Sequence, residues 1–186
     1  MNNAALRTPL PRPASRPKPS YTPLEPALTV QMPGAGVRWL FETWPTWSSA
    51  VLRITLGIVM GAHGAQKVFG WFGGQDFEAT MQGFTAQMHI PAPLAVLAIL
   101  AESLASVALL AGLLTRVAAF GITCNMLVAM LLVHRSGGFF MNWFGQQTGE
   151  GCEYHLLAIG LGVALMISGG GKWSVDRAIA CRLLKT

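Results

Sequence analysis

The segment HGAQKVFG, residues 63–70, places a histidine and a lysine four positions apart, at His63 and Lys67. Side chains at positions i and i+4 project from the same face of a helix. The preceding residues, VLRITLGIVMGA, are apolar enough for a membrane helix, in whose centre a lysine costs about 2.5–3.5 kcal/mol on insertion scales. The charge of Lys67 therefore requires a partner.

Glu102, in the apolar stretch PLAVLAILAESLASVALLAGLL, is the candidate partner. If residues 49–69 and 93–114 form antiparallel membrane helices, the helical rise places His63 about 10 Å and Glu102 about 13 Å below the outer surface of the bilayer core. Burial favours the neutral forms of these side chains, whereas pairing favours their charged forms. We predict that His63, Lys67 and Glu102 form one group that shares or relays a proton.

A second polar cluster is predicted at the start of the last apolar segment. There, Glu153 and His155 follow the aromatic and amide-rich stretch 137–149, which we expect to lie as a lid on the helices. Ionisable residues within a membrane indicate a functional site by default. The predicted binding site lies in the outer half of the protein and comprises His63, Lys67, Glu102, Glu153 and His155, with Gln66, Asn125 and His134 as accessory residues.

Structural roles are the alternative interpretation for several polar residues. Arg53 and Lys67 can extend their charged ends to the two membrane surfaces. Glu153 can stabilise a helix N-terminus, and Asn125 can hydrogen-bond between helices. Small residues are expected to allow close helix packing, and two hydroxyl residues to cap helices: Gly57, Gly61, Gly64, Gly160 and Gly162 for packing, Thr115 and Ser174 for capping.

The composition is that of a membrane protein. Of the 186 residues, 52% are hydrophobic and 11% are charged, whereas soluble domains carry about 25% charged residues. Four apolar segments are each close to the roughly 20 residues that span a bilayer core. The expected fold is all-α, a bundle of four transmembrane helices within a membrane domain of residues 49–178, with spans at about 49–69, 93–114, 117–134 and 153–169.

The flanking segments differ from this membrane domain. Residues 1–37 are rich in proline and arginine, which predicts a disordered tail, and we expect no secretory signal because apolar sequence begins only near residue 49. Residues 38–48 contain Trp39, Trp44 and Trp47, typical of an interfacial segment or a short helix on the membrane surface. Residues 179–186 form a short basic tail.

The distribution of lysine and arginine predicts the orientation. The two longer loops between spans contain Arg135 and three acidic residues, Asp76, Glu78 and Glu150. By the positive-inside rule, these loops face outward and both termini face the cytoplasm. The net charge of +5 is then explained by topology and anionic lipids, and no nucleic-acid partner is expected. The basic residues assigned to the cytoplasmic side are Arg7, Arg12, Arg16, Lys18, Arg38, Arg116, Lys172, Arg177, Arg182 and Lys185.

The sequence offers no recognisable cofactor motif. The three cysteines, Cys124, Cys152 and Cys181, are scattered, so neither a disulfide framework nor a metal site is predicted. There is no cysteine quartet for an iron–sulfur cluster, no evident histidine pair for a haem and no nucleotide-binding fingerprint. A redox role would therefore require a partner subunit or a directly bound small substrate.

Several motifs in this order resemble the DoxX family of bacterial inner-membrane proteins: HGxxKxFG, the glutamate of AESLASVALLAGLLTR, and the closing GGGKWSVD. The resemblance covers about residues 48–178 and excludes the proline-rich tail. The family is similar to the DoxD-like membrane subunit of thiosulfate:quinone oxidoreductase, and its name comes from a subunit associated with a terminal quinol oxidase. The resemblance implies a multi-pass inner-membrane protein and favours a quinone as the bound molecule.

Two functions remain open at this point. The first is an oxidoreductase-associated subunit with a quinone or small-molecule site, for which catalysis by this chain itself is undecided. The second is a non-catalytic membrane protein that acts as an assembly partner or as a small-molecule binder or carrier. The expected partners are the lipid bilayer, a redox partner subunit and further copies of the chain. A channel is disfavoured because the polar residues do not extend into the cytoplasmic half.

Overall fold

The computed structural model describes residues 35–183, so most of the predicted disordered tail and the last residues of the basic tail lie outside the described residues. The described part is all-α, as predicted, and contains no β-strand. Its helices are α1 (Ala35–Phe41), α2 (Trp47–Phe69), α3 (Phe77–Gln82), α4 (Ala92–Ala111), α5 (Thr115–Ala129), α6 (Glu153–Ser168) and α7 (Val175–Leu183).

Short irregular helical turns extend two of these helices. A π-helical turn, Gly83–Gln87, follows α3. Another, Met130–His134, follows α5 and leads into a 3₁₀ turn, Arg135–Gly137. The turn after α5 lengthens that helix toward the loop of residues 138–152, which we call the 138–152 loop.

Two of the described helices are long and apolar enough to cross a membrane. They are α4, with 20 residues and a mean hydropathy of 2.3, and α5 with its extension to Gly137, with 23 residues and a mean hydropathy of 2.0. Twenty helical residues extend about 30 Å, the thickness of a bilayer core. The apolar helix α6 is shorter, at 16 residues, and α2 has 23 residues but includes Arg53, His63 and Lys67.

The four long helices contact one another in a ring, with α2 on α4, α4 on α5, α5 on α6 and α6 on α2. Their inner faces share one buried apolar cluster, which includes Leu56, Met60, Leu109, Ile122 and Leu165. Their outer faces expose large apolar side chains such as Leu104, Leu157 and Ile167. Such an extensive apolar surface is unusual on a water-soluble monomer and is suited to lipid.

Gly64 allows α2 to approach the backbone of α4 directly. A Cβ atom at this position would lie 2.7 Å from the main-chain oxygen of Glu102 and 2.7 Å from Cα of Ser103. The packing role predicted for this glycine is therefore confirmed. Gly160 of α6 differs, because no described atom lies within 4 Å of a Cβ built there, and the packing role predicted for it is wrong.

Arg53 is buried, with 2% of its surface exposed. The expectation that its charged end extends out of the protein to a membrane surface is therefore wrong. Its Nη1 atom donates hydrogen bonds to the carbonyls of Leu109 at 3.0 Å and Leu110 at 2.6 Å, in the last turn of α4. These carbonyls carry the partial negative charge of a helix C-terminus, which a guanidinium stabilises. Its other nitrogen atoms donate to main-chain carbonyls of the segment after α6, at Gly170, Lys172 and Trp173.

Arg116 acts in the same way at the end of α6. Its Nε atom donates to the carbonyl of Met166 at 2.9 Å and Nη2 donates to that of Ile167 at 3.1 Å. Nη1 donates to the carbonyl of Trp39, which attaches α1 to the same point. Arg116 was predicted only to contribute to membrane orientation, whereas the structure places it 6% exposed among main-chain acceptors.

Asp176 caps α5 from the neighbouring helix α7. Its carboxylate accepts hydrogen bonds from the main-chain N–H groups of Leu114 at 2.7 Å and Thr115 at 2.9 Å. The predicted cap by Thr115 is wrong, because a carboxylate binds the two N–H groups more strongly than a hydroxyl and complements the helix dipole. The predicted cap of α7 by Ser174 is confirmed, since its Oγ accepts a hydrogen bond from Arg177 N at 3.3 Å.

Replacing Arg53 by Lys is expected to lower the free energy of unfolding by about 3 kcal/mol or more. Lysine keeps the charge but has one nitrogen atom in place of three, and each hydrogen bond to a charged group contributes about 1.5–3 kcal/mol. The measurement is unfolding in bicelles by SDS titration. Arg177→Lys, at an exposed arginine near the same end of the molecule, is the control and should leave the midpoint unchanged. Equal stability of the two variants would contradict this assignment.

Replacing Gly64 by Ala is expected to destabilise the protein by about 1–3 kcal/mol, the usual cost of overpacking a close contact. The added Cβ would meet main-chain atoms of α4, which cannot rotate away. Gly160→Ala is the matched control, and it should be neutral or slightly stabilising because alanine favours the helix and open space surrounds the position. Thermal unfolding of both variants in nanodiscs measures the difference.

Candidate polar ligand site

A cavity of about 1010 Å³ lies between α4 and α5 and extends inward to α2 and α6. Its lining includes Met141 and Glu150 of the 138–152 loop. Most of its lining is apolar, and the polar side chains that line it are His63, Lys67, His89, Glu102, Asn125, His134, Glu150, Tyr154 and His155. A large apolar cavity with a few converging polar groups is the usual form of a small-molecule site.

Glu102 forms the centre of this polar set. Its Oε2 atom forms an ion pair with Nζ of Lys67, and its Oε1 atom accepts a hydrogen bond from Nδ2 of Asn125 at 2.8 Å. The Glu102 side chain is 6% exposed and that of Lys67 is 24% exposed. The predicted pairing of Lys67 with Glu102 is confirmed. Asn125 joins α5 to α4 through the same carboxylate, as expected of an interhelical hydrogen bond.

The backbone arrangement explains why this pair forms. Lys67 lies three residues after Gly64, the position at which α2 touches the main chain of Glu102. A lysine side chain starting one turn along α2 from that contact reaches the carboxylate without leaving the helix interface. The close approach of two helices therefore sets the geometry of the ion pair.

His155 lines the cavity and has a buried hydrogen-bonding atom without a partner in the described part of the chain. The residue is 5% exposed, and its Nδ1 atom has no hydrogen-bond partner among residues 35–183. Its ring lies 4.2 Å from that of His134 and 5.5 Å from that of Tyr154, measured between centroids. Leaving a buried polar atom unpaired costs about 1–3 kcal/mol, so this position is well suited to a ligand.

His63 and Tyr154 also line the cavity, and their rings lie next to each other. Their ring centroids are 5.6 Å apart, and the Tyr154 hydroxyl donates to Sδ of Met60 at 3.4 Å. His63 thus lines the same cavity as Glu102, while its ring packs on Tyr154. Sequence reasoning did not select Tyr154, although its position directly before His155 was an available signal.

Glu153 serves the 138–152 loop and is not among the residues that line the cavity. Its Oε1 atom accepts hydrogen bonds from the main-chain N–H of Met141 at 2.9 Å and from Nε1 of Trp143 at 3.2 Å. The loop is also held by the carboxylate of Glu150, which accepts from Asn142 N at 2.8 Å. Glu153 therefore fixes a loop that contributes to the lining of the cavity.

The accessory residues divide in a similar way. Asn125 and His134 line the cavity, and Nδ1 of His134 lies 3.2 Å from the carbonyl oxygen of Glu150. Gln66 instead donates to the carbonyl of Phe72 at 3.4 Å and faces a separate, smaller pocket. Cys124, for which no role was predicted, is exposed and lines the large cavity next to Asn125.

The long apolar helices and their exposed apolar faces define a helical membrane protein. Residues 48–135 match the model of the DoxX family, so this part of the chain is similar to that family, as the motifs indicated. No curated protein and no solved structure matches the chain. The family match includes His63, Lys67 and Glu102, whereas Glu153 and His155 of α6 lie beyond it.

Lys67→Met and Glu102→Gln are expected to destabilise the protein non-additively, with a coupling free energy of about 1–3 kcal/mol in a double-mutant cycle. Each single change leaves one charged group without its partner, whereas the double change removes both. The measurement is unfolding in bicelles for all four proteins. Lys67→Met combined with Glu153→Gln provides the control cycle and should be additive, because Glu153 binds the loop. Additivity in the first cycle would show that the ion pair is absent in the membrane.

Proposed function

We propose that this protein is an oxidoreductase-associated membrane subunit that binds a quinone, or a small molecule with a similar head group, at Glu102. The observation that carries the proposal is the combination of a buried, charge-paired carboxylate with an unpartnered His155 nitrogen atom in one large apolar cavity. A quinone needs an apolar site with donors for its two carbonyl oxygen atoms. Lys67 and His155 supply such donors.

Proton transfer fits the same residues. Reduction of a quinone to a quinol consumes two electrons and two protons, and one proton is added to each carbonyl oxygen atom. His63 and the Lys67–Glu102 pair stand where they can hold and deliver protons to a bound head group. The electrons would come from a redox partner subunit, since the sequence contains no motif for an electron carrier.

The proposed placement has four spans, α2, α4, α5 and α6, in the bacterial inner membrane, with both termini in the cytoplasm. The distribution of lysine and arginine along the sequence supports this orientation. Exposed aromatic residues near both ends of the helices also support it, because such residues favour membrane interfaces. They are Trp39, Trp44, Trp47 and Trp173 near one end, and Trp71, Phe72, Trp143 and Phe144 near the other.

A non-catalytic role as an assembly partner, or as a small-molecule binder or carrier, is the second candidate. The observation that favours it is that both oxygen atoms of Glu102 already have partners within the protein. In this case the polar cluster would chiefly join α2, α4 and α5. The two candidates differ in what Glu102→Gln removes: quinone reduction in the first, and stability, ligand binding or partner association in the second.

The test is binding of decylubiquinone or a menaquinone analogue to the purified protein in nanodiscs, with thermal stability recorded on the same samples. Glu102→Gln and His63→Ala are expected to abolish saturable binding while the protein remains folded. Glu78→Gln, at an exposed carboxylate on the segment between α2 and α4, is the matched control and should bind like the wild type. No binding by the wild type, with strong destabilisation of both site variants, would contradict the proposal.

Quinone reduction in native membranes then separates the two candidates. If the first is right, membranes containing Glu102→Gln lose the reduction supported by the wild type, at equal protein abundance. Equal rates in the two membranes, with binding lost only in the variant, would favour the non-catalytic candidate.

A further inference from the structure

We infer that the ligand is a membrane-dissolved molecule with an uncharged polar head and a long apolar tail, which enters the cavity sideways from the lipid between α4 and α5. Its tail lies in a groove that we call the α4–α5 groove, formed by Leu97, Ala98 and Ala101 of α4 and by Phe120, Gly121 and Cys124 of α5. This inference deepens the proposed function and rests on it for the position of the head.

The shape of the groove follows from the sizes of its side chains. Leu97 and Phe120 are each 59% exposed and form the walls on the lipid side. The half-buried floor consists of small residues, and a Cβ built at Gly121 would lie 4.0 Å from Cβ of Ala101. Small residues on the two facing helices thus form the bottom of a groove that larger residues would fill.

The groove leads directly to the polar site. Glu102 follows Ala101 on α4, and Asn125 follows Cys124 on α5, so the groove on each helix ends beside a residue of the Glu102 hydrogen-bond set. A molecule moving inward from the lipid therefore passes only apolar side chains before its head reaches Glu102 and His155. Met141 and Glu150 of the 138–152 loop line the same cavity.

The charges of the site favour an uncharged head. The one lysine that lines the cavity is paired with the carboxylate of Glu102, so these two charges cancel. A phosphate head group would meet that carboxylate and Glu150, and the described lining residues include no second lysine and no arginine, only histidines. A head with carbonyl or hydroxyl oxygen atoms can instead accept from Lys67 and hydrogen-bond with His155.

The tail is expected to affect where the ligand lies in the protein more than how tightly it binds. Lipid chains are as apolar as the groove, so moving a tail from the bilayer into the groove gains little hydrophobic free energy. A molecule without a tail should therefore still bind through its head, but it should leave the groove open. Cys124 lies in the groove and is exposed, so its reactivity reports whether a tail is present.

The experiment uses a protein in nanodiscs in which Cys152→Ser and Cys181→Ser leave Cys124 as the single cysteine. The rate of Cys124 alkylation by N-ethylmaleimide is measured with decylubiquinone or with duroquinone, whose fully substituted ring has no tail. Head binding is measured separately by the shift in thermal stability. Decylubiquinone at ten times its Kd should slow alkylation by about tenfold, whereas duroquinone should stabilise the protein and change the rate by less than about twofold.

A variant that fills the groove provides the second measurement. Gly121→Leu should remove protection and binding by decylubiquinone while duroquinone still stabilises the protein. Gly160→Leu, at the α6 glycine surrounded by open space, is the matched control and should behave as the wild type. If Gly121→Leu does not fold, Ala98→Leu in the α4 part of the same floor makes the same test.

Each other outcome has a distinct meaning. If both quinones stabilise the protein and neither protects Cys124, the proposed function stands and the groove inference is overturned. If neither quinone binds, the proposed function fails, and the inference fails with it. Protection that is present without quinone and is lost on delipidation would assign the groove to a phospholipid chain. Protection that requires two protein copies per nanodisc would assign it to a second copy of the chain.

Discussion

The structure depends on a buried arginine, Arg53, that donates hydrogen bonds to main-chain carbonyls at the C-terminal end of a neighbouring helix. Arg53 donates to the last turn of α4 and to the chain after α6, so one side chain of α2 fixes two other parts of the ring. A guanidinium without these acceptors would be very costly to bury, and helix carbonyls without donors would be costly as well. Arg116 and Asp176 satisfy the ends of α6 and α5 in the same manner. This end of the molecule is thus stabilised by hydrogen bonds between charged side chains and main-chain groups.

The candidate site lies toward the other ends of the same helices, and its geometry follows from theirs. Once α2 and α4 are joined at Arg53, the contact at Gly64 brings the helices together again beside Glu102. Lys67 then meets the carboxylate, and Asn125 adds α5. α6 contributes His155 through its first turn, where Glu153 also holds the 138–152 loop. The same four helices therefore form both the hydrogen-bonded end around Arg53 and the cavity with the Glu102 site.

Part of this arrangement was predictable from the sequence. The ion pair between Lys67 and Glu102 was predictable, because the position of a residue in a helix determines both its depth in the membrane and the helix face on which it lies. The environment of Arg53 was predicted wrongly. The position of Arg53 in the sequence indicates how far it lies from a membrane surface, but it does not show that the end of α4 lies within hydrogen-bonding distance. The role of Glu153 depended on the path of an irregular loop, and the cap by Asp176 depended on the packing of α7 beside α5. Neither follows from local periodicity.

The chemistry of the Arg53 contacts also affects how this sequence can change. Its acceptors on α4 and after α6 are main-chain oxygen atoms, which every amino acid supplies. Side chains at positions 109, 110, 172 and 173 can therefore vary without loss of the acceptors. Gly112 cannot vary as freely, because its φ angle is 67° and an added Cβ would lie 3.2 Å from Cζ of Arg53. Sequence drift in this region is thus limited by the arginine, by the glycine and by the packing of buried residues such as Leu109, and not by the chemistry of the acceptor side chains.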